Sequence, residues 1–196
     1  MNSRDTVQCY TYKMVVLGYY SVGKSSLVLK YAKNEFNPNE ESTIGASFIT
    51  KTMTTKDACV KFEIWDTAGQ ERYNSLIPMY YRGAQIGLIV YDITSRESFD
   101  VAKRWVEELK FEKTKDFLKV LVANKIDLNE DRKVTFEEGR DYAIQQNLLF
   151  VEASAKDGTN VSKIFELVAN KIPKEAPKPK KKGLKLSDSF MKYFCC

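Results

Sequence analysis

Gly18-Tyr19-Tyr20-Ser21-Val22-Gly23-Lys24-Ser25 separates two glycines by four residues and continues with a lysine and a serine. It follows an apolar run at residues 14–17 and precedes apolar residues at helical spacing, which is the setting of a phosphate-binding loop. In such a loop, backbone N–H groups and the helix amino terminus face a phosphate, the lysine adds positive charge, and the serine hydroxyl can bind Mg²⁺. An ordinary glycine turn before a helix is the less specific alternative. The motif predicts phosphate binding.

Strand and helix patterns alternate on both sides of this loop. Apolar runs typical of strands buried on both faces lie at residues 14–17, 86–91, 120–123 and 148–151. Two further strand-like runs, at 47–55 and 59–65, meet at Lys56-Asp57, which predicts a hairpin and one antiparallel edge strand. Thr94 with Glu97 resembles a capping box, and Thr135 with Glu138 indicates another helix start. The alternation predicts an α/β fold with a doubly wound, mostly parallel sheet of six strands.

The charge of the chain is concentrated in its last segment. The formal net charge is +5, and residues 173–196 contain seven lysines against one glutamate and one aspartate, which is the whole surplus. The remaining 24 basic and 24 acidic residues balance, so we expect no nucleic acid among the partners of the body of the protein. The chain has no histidine, which excludes Ser-His-Asp catalysis and zinc sites with imidazole ligands.

Cysteine usage and composition indicate one domain from a reducing compartment. Cys9 and Cys59 lie in strand-like contexts and are expected to be inert buried thiols, whereas Cys195 and Cys196 end the chain. We expect neither a transmembrane helix nor a secretory leader. The expected organisation is a flexible amino terminus at residues 1–9, a nucleotide-binding domain at 10–172 and a disordered basic tail at 173–196.

Two short motifs at predicted strand ends select the base of a nucleotide. Asn124-Lys125-Ile126-Asp127 directly follows the run at 120–123, at the sheet edge where ligands bind in such folds. A carboxylate there accepts hydrogen bonds from the N1–H and 2-amino groups of guanine, which adenine lacks. Ser154-Ala155-Lys156 follows the next strand, where the N–H of Ala155 can reach the guanine O6. Together the two motifs favour GTP and argue against a kinase or an ATPase.

A third motif, Trp65-Asp66-Thr67-Ala68-Gly69-Gln70-Glu71, closes the second hairpin strand. Asp66 is placed to hold the shell of a Mg²⁺ ion through water, as a Walker-B acid does. Gly69 would offer its N–H to a γ-phosphate, and Gln70 would orient the attacking water. The less specific alternative is a polar turn.

These motifs together resemble those of the Ras superfamily of small GTPases, and within it the Rab branch. The resemblance covers about residues 10–172 and reappears in the last two residues. Glu41-Ser42-Thr43-Ile44-Gly45, residues 65–71 and Tyr80-Tyr81-Arg82-Gly83-Ala84 resemble Rab switch regions. Residues 44–48 and 75–82 are most similar to the early-endosomal Rab subgroup.

The resemblance implies the P-loop NTPase fold in its small G domain form, with GTP or GDP as bound nucleotide and Mg²⁺ as cofactor. It implies nucleotide-binding roles for Ser21, Val22, Gly23, Lys24, Ser25, Ser26, Phe36, Thr43, Gly69, Asn124, Lys125, Asp127, Ser154, Ala155 and Lys156. It also implies Mg²⁺ ligation by Ser25, Thr43 and Asp66, and catalytic roles for Gln70, Lys24 and Thr43.

The resemblance further implies a switch that regulates vesicular trafficking. GTP and Mg²⁺ would hold segments 37–46 and 67–80 ordered until slow hydrolysis releases them. Phe48, Trp65 and Tyr80 match the aromatic triad that Rab proteins present to effectors, with core packing as the alternative. Implied partners are a guanine nucleotide exchange factor, a GTPase-activating protein that supplies an arginine, effectors, Rab escort protein and GDP dissociation inhibitor.

The end of the chain resembles a membrane anchor. Cys195-Cys196 matches the double-cysteine ending on which Rab proteins are geranylgeranylated, with one or both cysteines as the modified positions. Two lipid chains beside several lysines suit anchoring to an anionic leaflet. The implied location is the cytoplasmic face of intracellular membranes, the early endosome in particular, and the cytosol for the GDP-bound form. A solvated arm with incidental cysteines, or one that binds nucleic acid, is the alternative.

Tyr20 departs from the family pattern, which has a small residue at this place in the loop. A tyrosine ring next to the γ-phosphate would crowd Gln70 or an incoming arginine. The hypothesis is that hydrolysis is impaired while binding survives, which would make the protein a GTP-binding module with little or no turnover. The alternative is that the ring swings outward and has no effect.

Overall fold

A mixed sheet organises the computed structural model, which describes residues 8–55, 58–110 and 117–174. Its strands are β1 (Cys9–Leu17), β2 (Ala46–Thr54), β3 (Cys59–Thr67), β4 (Ile86–Asp92), β5 (Leu118–Asn124) and β6 (Leu149–Glu152). In space they follow the order β2-β3-β1-β4-β5-β6, and every neighbouring pair is parallel except β2 with β3. The predicted α/β sheet of six strands with one antiparallel edge strand is confirmed.

Five α-helices and two short 3₁₀-helices connect these strands in the described residues. The helices are α1 (Lys24–Lys33), α2 (Ile77–Tyr81), α3 (Arg96–Glu108), α4 (Phe136–Gln145) and α5 (Val161–Lys171), with 3₁₀ segments at Glu71–Leu76 and Ile126–Asp131. α3 joins β4 to β5 and α4 joins β5 to β6, which are the crossovers that parallel neighbours require.

The sheet is covered on both faces, and the alternation of side chains along β1 assigns each to one layer. Val16 packs in a cluster with Leu27 of α1 and Phe165 of α5, whereas Leu17 packs in a second cluster with Phe99 of α3. The central strand β4 is buried along its whole length. Because β1, β3, β4, β5 and β6 are mutually parallel, the loops after them meet at one edge of the sheet.

The predicted helix start at Thr135 is confirmed and proves to be a capping box, whereas the predicted capping box at Thr94 is wrong by one residue. The Thr135 hydroxyl accepts from the backbone N–H of Glu138 at 3.1 Å, and the Glu138 carboxylate accepts from the N–H of Thr135 at 3.2 Å. At the start of α3 the cap is Ser95, not Thr94, and it accepts from the N–H of Ser98 at 3.2 Å. Thr94 is unavailable because a carboxylate at the end of β4 engages both its N–H and its hydroxyl.

The expectation that Cys9 and Cys59 are buried thiols is wrong. Cys9 is exposed and Cys59 is half-buried, and a disulfide bond joins them across a sequence separation of 50 residues. The cause is the register of the sheet, which sets the first residue of β1 opposite the first residue of β3.

Several predictions concern residues outside the described ranges. These are residues 1–7 of the amino terminus, the hairpin turn at Lys56-Asp57, and residues 175–196 with the two terminal cysteines. In the parts of the chain that are described, none of the helices combines the length and the apolarity needed to cross a membrane.

Candidate functional site

A cavity of about 490 Å³ opens at the edge of the sheet where the parallel strands end. It is lined by all of the predicted nucleotide-binding residues except Val22 and Ser154, and by the predicted catalytic residue Gln70. Val22 is buried in the core beneath the loop, and Ser154 is buried behind the cavity wall. Lining residues that carried no predicted nucleotide contact are Tyr20, Asn37, Pro38, Glu40, Glu41, Ser42, Thr67 and Leu128.

The loop between β1 and α1 encloses a buried ammonium group. Lys24 is 6% exposed, and its Nζ donates to the carbonyl oxygens of Gly18 at 3.0 Å and Tyr19 at 2.8 Å. Burial lowers the pKa of Lys24 to about 8, against an opposing effect from the carboxylate of Asp66. Gly23 lies at the start of α1 with φ +89°, a conformation that favours glycine. The loop therefore places the positive charge of Lys24 at the amino terminus of α1, and this combination suits a phosphate.

Gly69 brings a second segment against this loop. A Cβ atom on Gly69 would lie 2.5 Å from Lys24 Nζ and 2.5 Å from the carbonyl oxygen of Tyr19, so no larger residue fits. The close approach places the backbone after β3 beside the lysine, where the sequence predicted an N–H donor for a γ-phosphate.

Three oxygen-bearing side chains converge beside Lys24. The Ser25 hydroxyl donates to Asp66 Oδ2 at 2.5 Å and lies 2.8 Å from Thr43 Oγ1, which is itself 3.4 Å from the same carboxylate oxygen. Burial raises the pKa of Asp66, while these hydrogen bonds and Lys24 act in the opposite direction. The other oxygen, Asp66 Oδ1, is buried and has no hydrogen-bond partner among the described residues. Hydroxyl and carboxylate oxygens are the donors that Mg²⁺ prefers, so the three side chains fit that ion.

The opposite end of the cavity is built from side chains that bond to each other. Asn124 is 1% exposed, donates from Nδ2 to the carbonyl oxygen of Val22 at 2.8 Å, and accepts from the N–H of Ala155 at 3.1 Å. Ser154 donates to Asp127 Oδ1 at 2.7 Å. The side chain of Asp127 is only 15% exposed. The two predicted base-recognition motifs are thus joined to each other and to the phosphate loop.

Asp92 supports this end of the cavity and was not predicted to do so. Asp92 is the last residue of β4, and its carboxylate lies 2.7 Å from Lys125 Nζ. Lys125 adopts a left-handed conformation with φ +69°. The sequence signal was available: an aspartate at the end of the neighbouring buried strand reaches the same sheet edge.

Tyr20 lies at the mouth of the cavity on the phosphate side and packs against Tyr19. Tyr20 is 51% exposed and lines the cavity together with Gln70. Its ring lies 4.3 Å from the ring of Tyr19, centroid to centroid. The hydroxyl of Tyr19 donates to Glu97 Oε1 at 2.9 Å, so α3 holds the ring against which Tyr20 rests.

The three aromatic residues predicted to contact effectors lie together, outside the cavity. The Phe48 and Trp65 rings are 5.0 Å apart because β2 and β3 pair these residues directly, and the Trp65 and Tyr80 rings are 5.6 Å apart. Phe48 is 52% exposed, and Ile44, four positions earlier in the chain, is 80% exposed. Trp65 and Tyr80 are half-buried, and Tyr80 packs against the core cluster that contains Leu17. The triad thus combines one exposed ring with core packing, and its contact with effectors stays a prediction.

The family model of the Ras family matches residues 13–174, which include every element of the fold from within β1 through α5. The chain belongs to the Ras family. It is also 51% identical over 176 residues to the Ras-related protein Rab5 of Nicotiana tabacum, a match that covers 90% of this chain and 88% of that protein. The predicted identification as a Rab small GTPase most similar to the early-endosomal subgroup is confirmed.

Membership in the family settles the coarse chemistry of the cavity. This Rab GTPase has the small G domain fold, binds guanine nucleotides and hydrolyses GTP. The motifs that predicted a P-loop NTPase lie at the cavity edge of the sheet. Of the lining residues that were not predicted, Thr67 belongs to one of these motifs and Leu128 directly follows another, whereas Asn37, Pro38 and Glu40 come from the segment after α1.

Proposed function

We propose that this Rab GTPase is a Mg²⁺-dependent switch that recruits effectors to an endosomal membrane in its GTP-bound form. The observation that supports the proposal best is the pairing within one cavity of a buried lysine and converging oxygens at one end with the Asp127 carboxylate at the other. That spacing of a cationic end and an acidic end suits a guanosine triphosphate and its metal.

In the proposed hydrolysis each part of the cavity has one task. Bound Mg²⁺, ligated by Ser25 and Thr43 and held through water by Asp66, would neutralise charge on the phosphates. Lys24 stabilises negative charge on the transferred phosphoryl group, and Gln70 orients the attacking water. Asp127 and the N–H of Ala155 bind the guanine, and this positions the triphosphate beside Lys24 and Gln70.

The proposed switch depends on how the phosphate end is built. Segments 37–46 and 67–80 contribute residues to the cavity wall, including the half-buried Thr43 and Gln70, and would be ordered by contacts to the γ-phosphate. Loss of that phosphate removes the contacts and releases the segments. Phe48 on β2 and Trp65 on β3 lie in the chain between the two segments, and Tyr80 of α2 is the last residue of the second segment. Ordering of the segments would therefore change the surface that this triad offers to an effector.

A second candidate is a binding module with little turnover, and the position of Tyr20 favours it. The ring lines the cavity with Gln70 and rests on Tyr19, which Glu97 holds in place. A ring kept at the mouth of the cavity obstructs an arginine brought by an activating protein, a contribution worth about 10³–10⁵ in rate in such enzymes.

Single-turnover GTP hydrolysis by the purified full chain tests both candidates. We expect guanine nucleotide to copurify and GTP to be hydrolysed slowly; an adenine nucleotide, or none with none accepted, would overturn the site. Tyr20→Ser should accelerate hydrolysis if the ring obstructs it, and Tyr20→Phe, which keeps the ring, should not. Equal rates for all three proteins, with and without an activating protein, would eliminate the binding-module candidate.

The remaining partners follow from the Rab assignment. We propose an exchange factor, a GTPase-activating protein, Rab escort protein and GDP dissociation inhibitor, with Cys195 and Cys196 as geranylgeranylation positions and the cytoplasmic face of the early endosome as the location. After incubation with a prenylating extract, the full chain should float with anionic vesicles, and the variant with both terminal cysteines changed to serine should stay in solution. Flotation of both would contradict the anchor.

A further inference from the structure

A pair of cysteines, Cys9 and Cys59, lies at the end of the sheet opposite the nucleotide cavity and has no role in the proposed GTPase cycle. The parallel register of β1 and β3 sets Cys9 directly opposite Cys59, and their Cα atoms are 4.3 Å apart. The N–H of Cys59 donates to the carbonyl oxygen of Gln8 at 3.1 Å, so the backbones are already tied at this point. Residues opposite each other on neighbouring strands point to the same face, and the two sulfur atoms are joined in a disulfide.

We propose that Cys9 and Cys59 form a reversible thiol–disulfide modification site whose reaction partner is a low-molecular-weight disulfide of the glutathione type. Cys9 is exposed and Cys59 is half-buried, so a small disulfide can reach at least one sulfur without unfolding of the strands. A glutathione pool that is mostly reduced keeps such thiols reduced. The pair is therefore a dithiol under reducing conditions and a disulfide when the pool is oxidised.

The chemistry balances with that partner alone. One cysteine thiolate attacks a sulfur of oxidised glutathione, which forms a mixed disulfide and releases one glutathione thiolate. The second cysteine, as its thiolate, then attacks the protein-side sulfur, which closes the Cys9–Cys59 bond and releases a second glutathione thiolate. The two protons from the cysteines pass to the two glutathione thiolates. The protein loses two electrons and two protons, and glutathione disulfide gains them.

The position of the two cysteines in the sheet determines which part of the fold the disulfide stabilises. β4 pairs with β1 only from Met14 onward, so the first part of β1 is held on one side alone, by β3. A bond from Cys9 to Cys59 ties this end of β1 to the one strand that pairs with it in the described residues. The bond also closes a loop that contains the phosphate loop, α1 and β2, and closing so long a loop restricts the unfolded chain strongly.

The nucleotide site lies beyond the other ends of the same strands. The phosphate loop follows Leu17, eight residues along β1 from Cys9, which is roughly 26 Å of extended chain. Oxidation should therefore raise the unfolding temperature, by about 5–15 °C for a loop of this length, and leave the affinity for GDP unchanged.

The test uses the full chain with Cys195→Ser and Cys196→Ser, loaded with Mg²⁺ and GDP, and treated with oxidised or reduced glutathione. In the oxidised sample we expect both thiols to disappear, a mass lower by two hydrogen atoms, and the peptide containing Cys9 linked to that containing Cys59. Reduced glutathione should restore both thiols. Two free thiols, or two glutathione adducts without an internal bond, would overturn the proposal.

Two single variants separate the bond from a general effect of oxidant. Cys9→Ser and Cys59→Ser in the same background should each keep the affinity for GDP, and neither should gain unfolding temperature on oxidation. Each should instead retain its thiol or accept one glutathione. A rise in unfolding temperature in a single variant as large as in the parent would show that the cross-link is not the cause. Digestion by a protease near the amino terminus should slow only in the oxidised parent.

Discussion

The base end and the phosphate end of the nucleotide cavity are built on different principles. At the base end, Asn124 and Ser154 are buried and already bonded to other protein groups. At the phosphate end, Gln70 and Thr43 come from segments with exposed neighbours, and Asp66 Oδ1 has no protein partner among the described residues. The base end is complete without ligand, and the phosphate end needs ligand to satisfy it. Such an arrangement suits a protein that recognises guanine in the same way in GTP and GDP, while the conformation of its surface depends on the γ-phosphate.

The largest effect is expected from breaking base recognition at Asp127. Asp127→Asn replaces a carboxylate oxygen by an amide N–H₂ that faces the N–H donors of guanine, so GTP affinity should fall by at least about 1,000-fold. Xanthosine triphosphate carries an oxygen in place of the 2-amino group and should bind the variant better than GTP does. Equilibrium titration with both nucleotides measures this, and unchanged preference for guanine would remove Asp127 from base recognition.

The next largest effect concerns turnover at the phosphate end. Gln70→Leu removes the side chain that we propose orients the attacking water and should slow single-turnover hydrolysis by about 100-fold, with little change in nucleotide affinity. The unfolding temperature should stay the same because the Gln70 side chain lines the cavity and not the core. Hydrolysis at the parental rate would assign the positioning of water to another residue.

A third effect distinguishes the two ends by stability. Asn124→Ala leaves the carbonyl oxygen of Val22 and the N–H of Ala155 buried without a partner, which should lower the free energy of unfolding by about 2–3 kcal/mol. Asn129→Ala, on the exposed 3₁₀ segment, is the matched control and should change it by less than about 0.5 kcal/mol. Urea denaturation measures both. Equal losses would mean that the base end is not held by these bonds.

The smallest effect on the protein itself is expected on the outer face of the phosphate end. Phe48→Ala removes a ring that is 52% exposed, so stability should fall by less than about 1 kcal/mol and GTP hydrolysis should be unchanged. Binding of a GTP-dependent effector should nevertheless be lost. Phe136→Ala, a ring of comparable exposure on α4, is the control that should keep effector binding. Loss in both variants would remove the special role of the triad.

Most of the site was predictable because its parts are short motifs at the ends of buried strands. The phosphate loop, Asn124-Lys125-Ile126-Asp127 and Ser154-Ala155-Lys156 each combine a strand pattern with a local chemical signature, and parallel strands bring such ends together. The hydrogen bond from Ala155 to Asn124 follows from that geometry. The fold was predictable for the same reason, since buried parallel strands produce continuous apolar runs.

Contacts between segments that are distant in the chain could not be predicted from the sequence. The cap of α3 moved from Thr94 to Ser95 because the carboxylate at the end of β4 competes for Thr94. Tyr19 is held by Glu97, which is 78 positions away. No local pattern encodes such partners, because they depend on how helices and loops pack after the sheet has formed.

The amino acid order alone predicted which residues line the cavity and which of them are proposed to face phosphate, metal and guanine, since glycine spacing, charge and strand ends act locally. Spatial proximity was specified by packing and register. Cys9 and Cys59 illustrate the difference, because their separation by 50 residues gave no sign of contact, yet the pairing of β1 with β3 places them opposite each other. Register depends on the hydrophobic alignment of whole strands, which is a property of the assembled sheet.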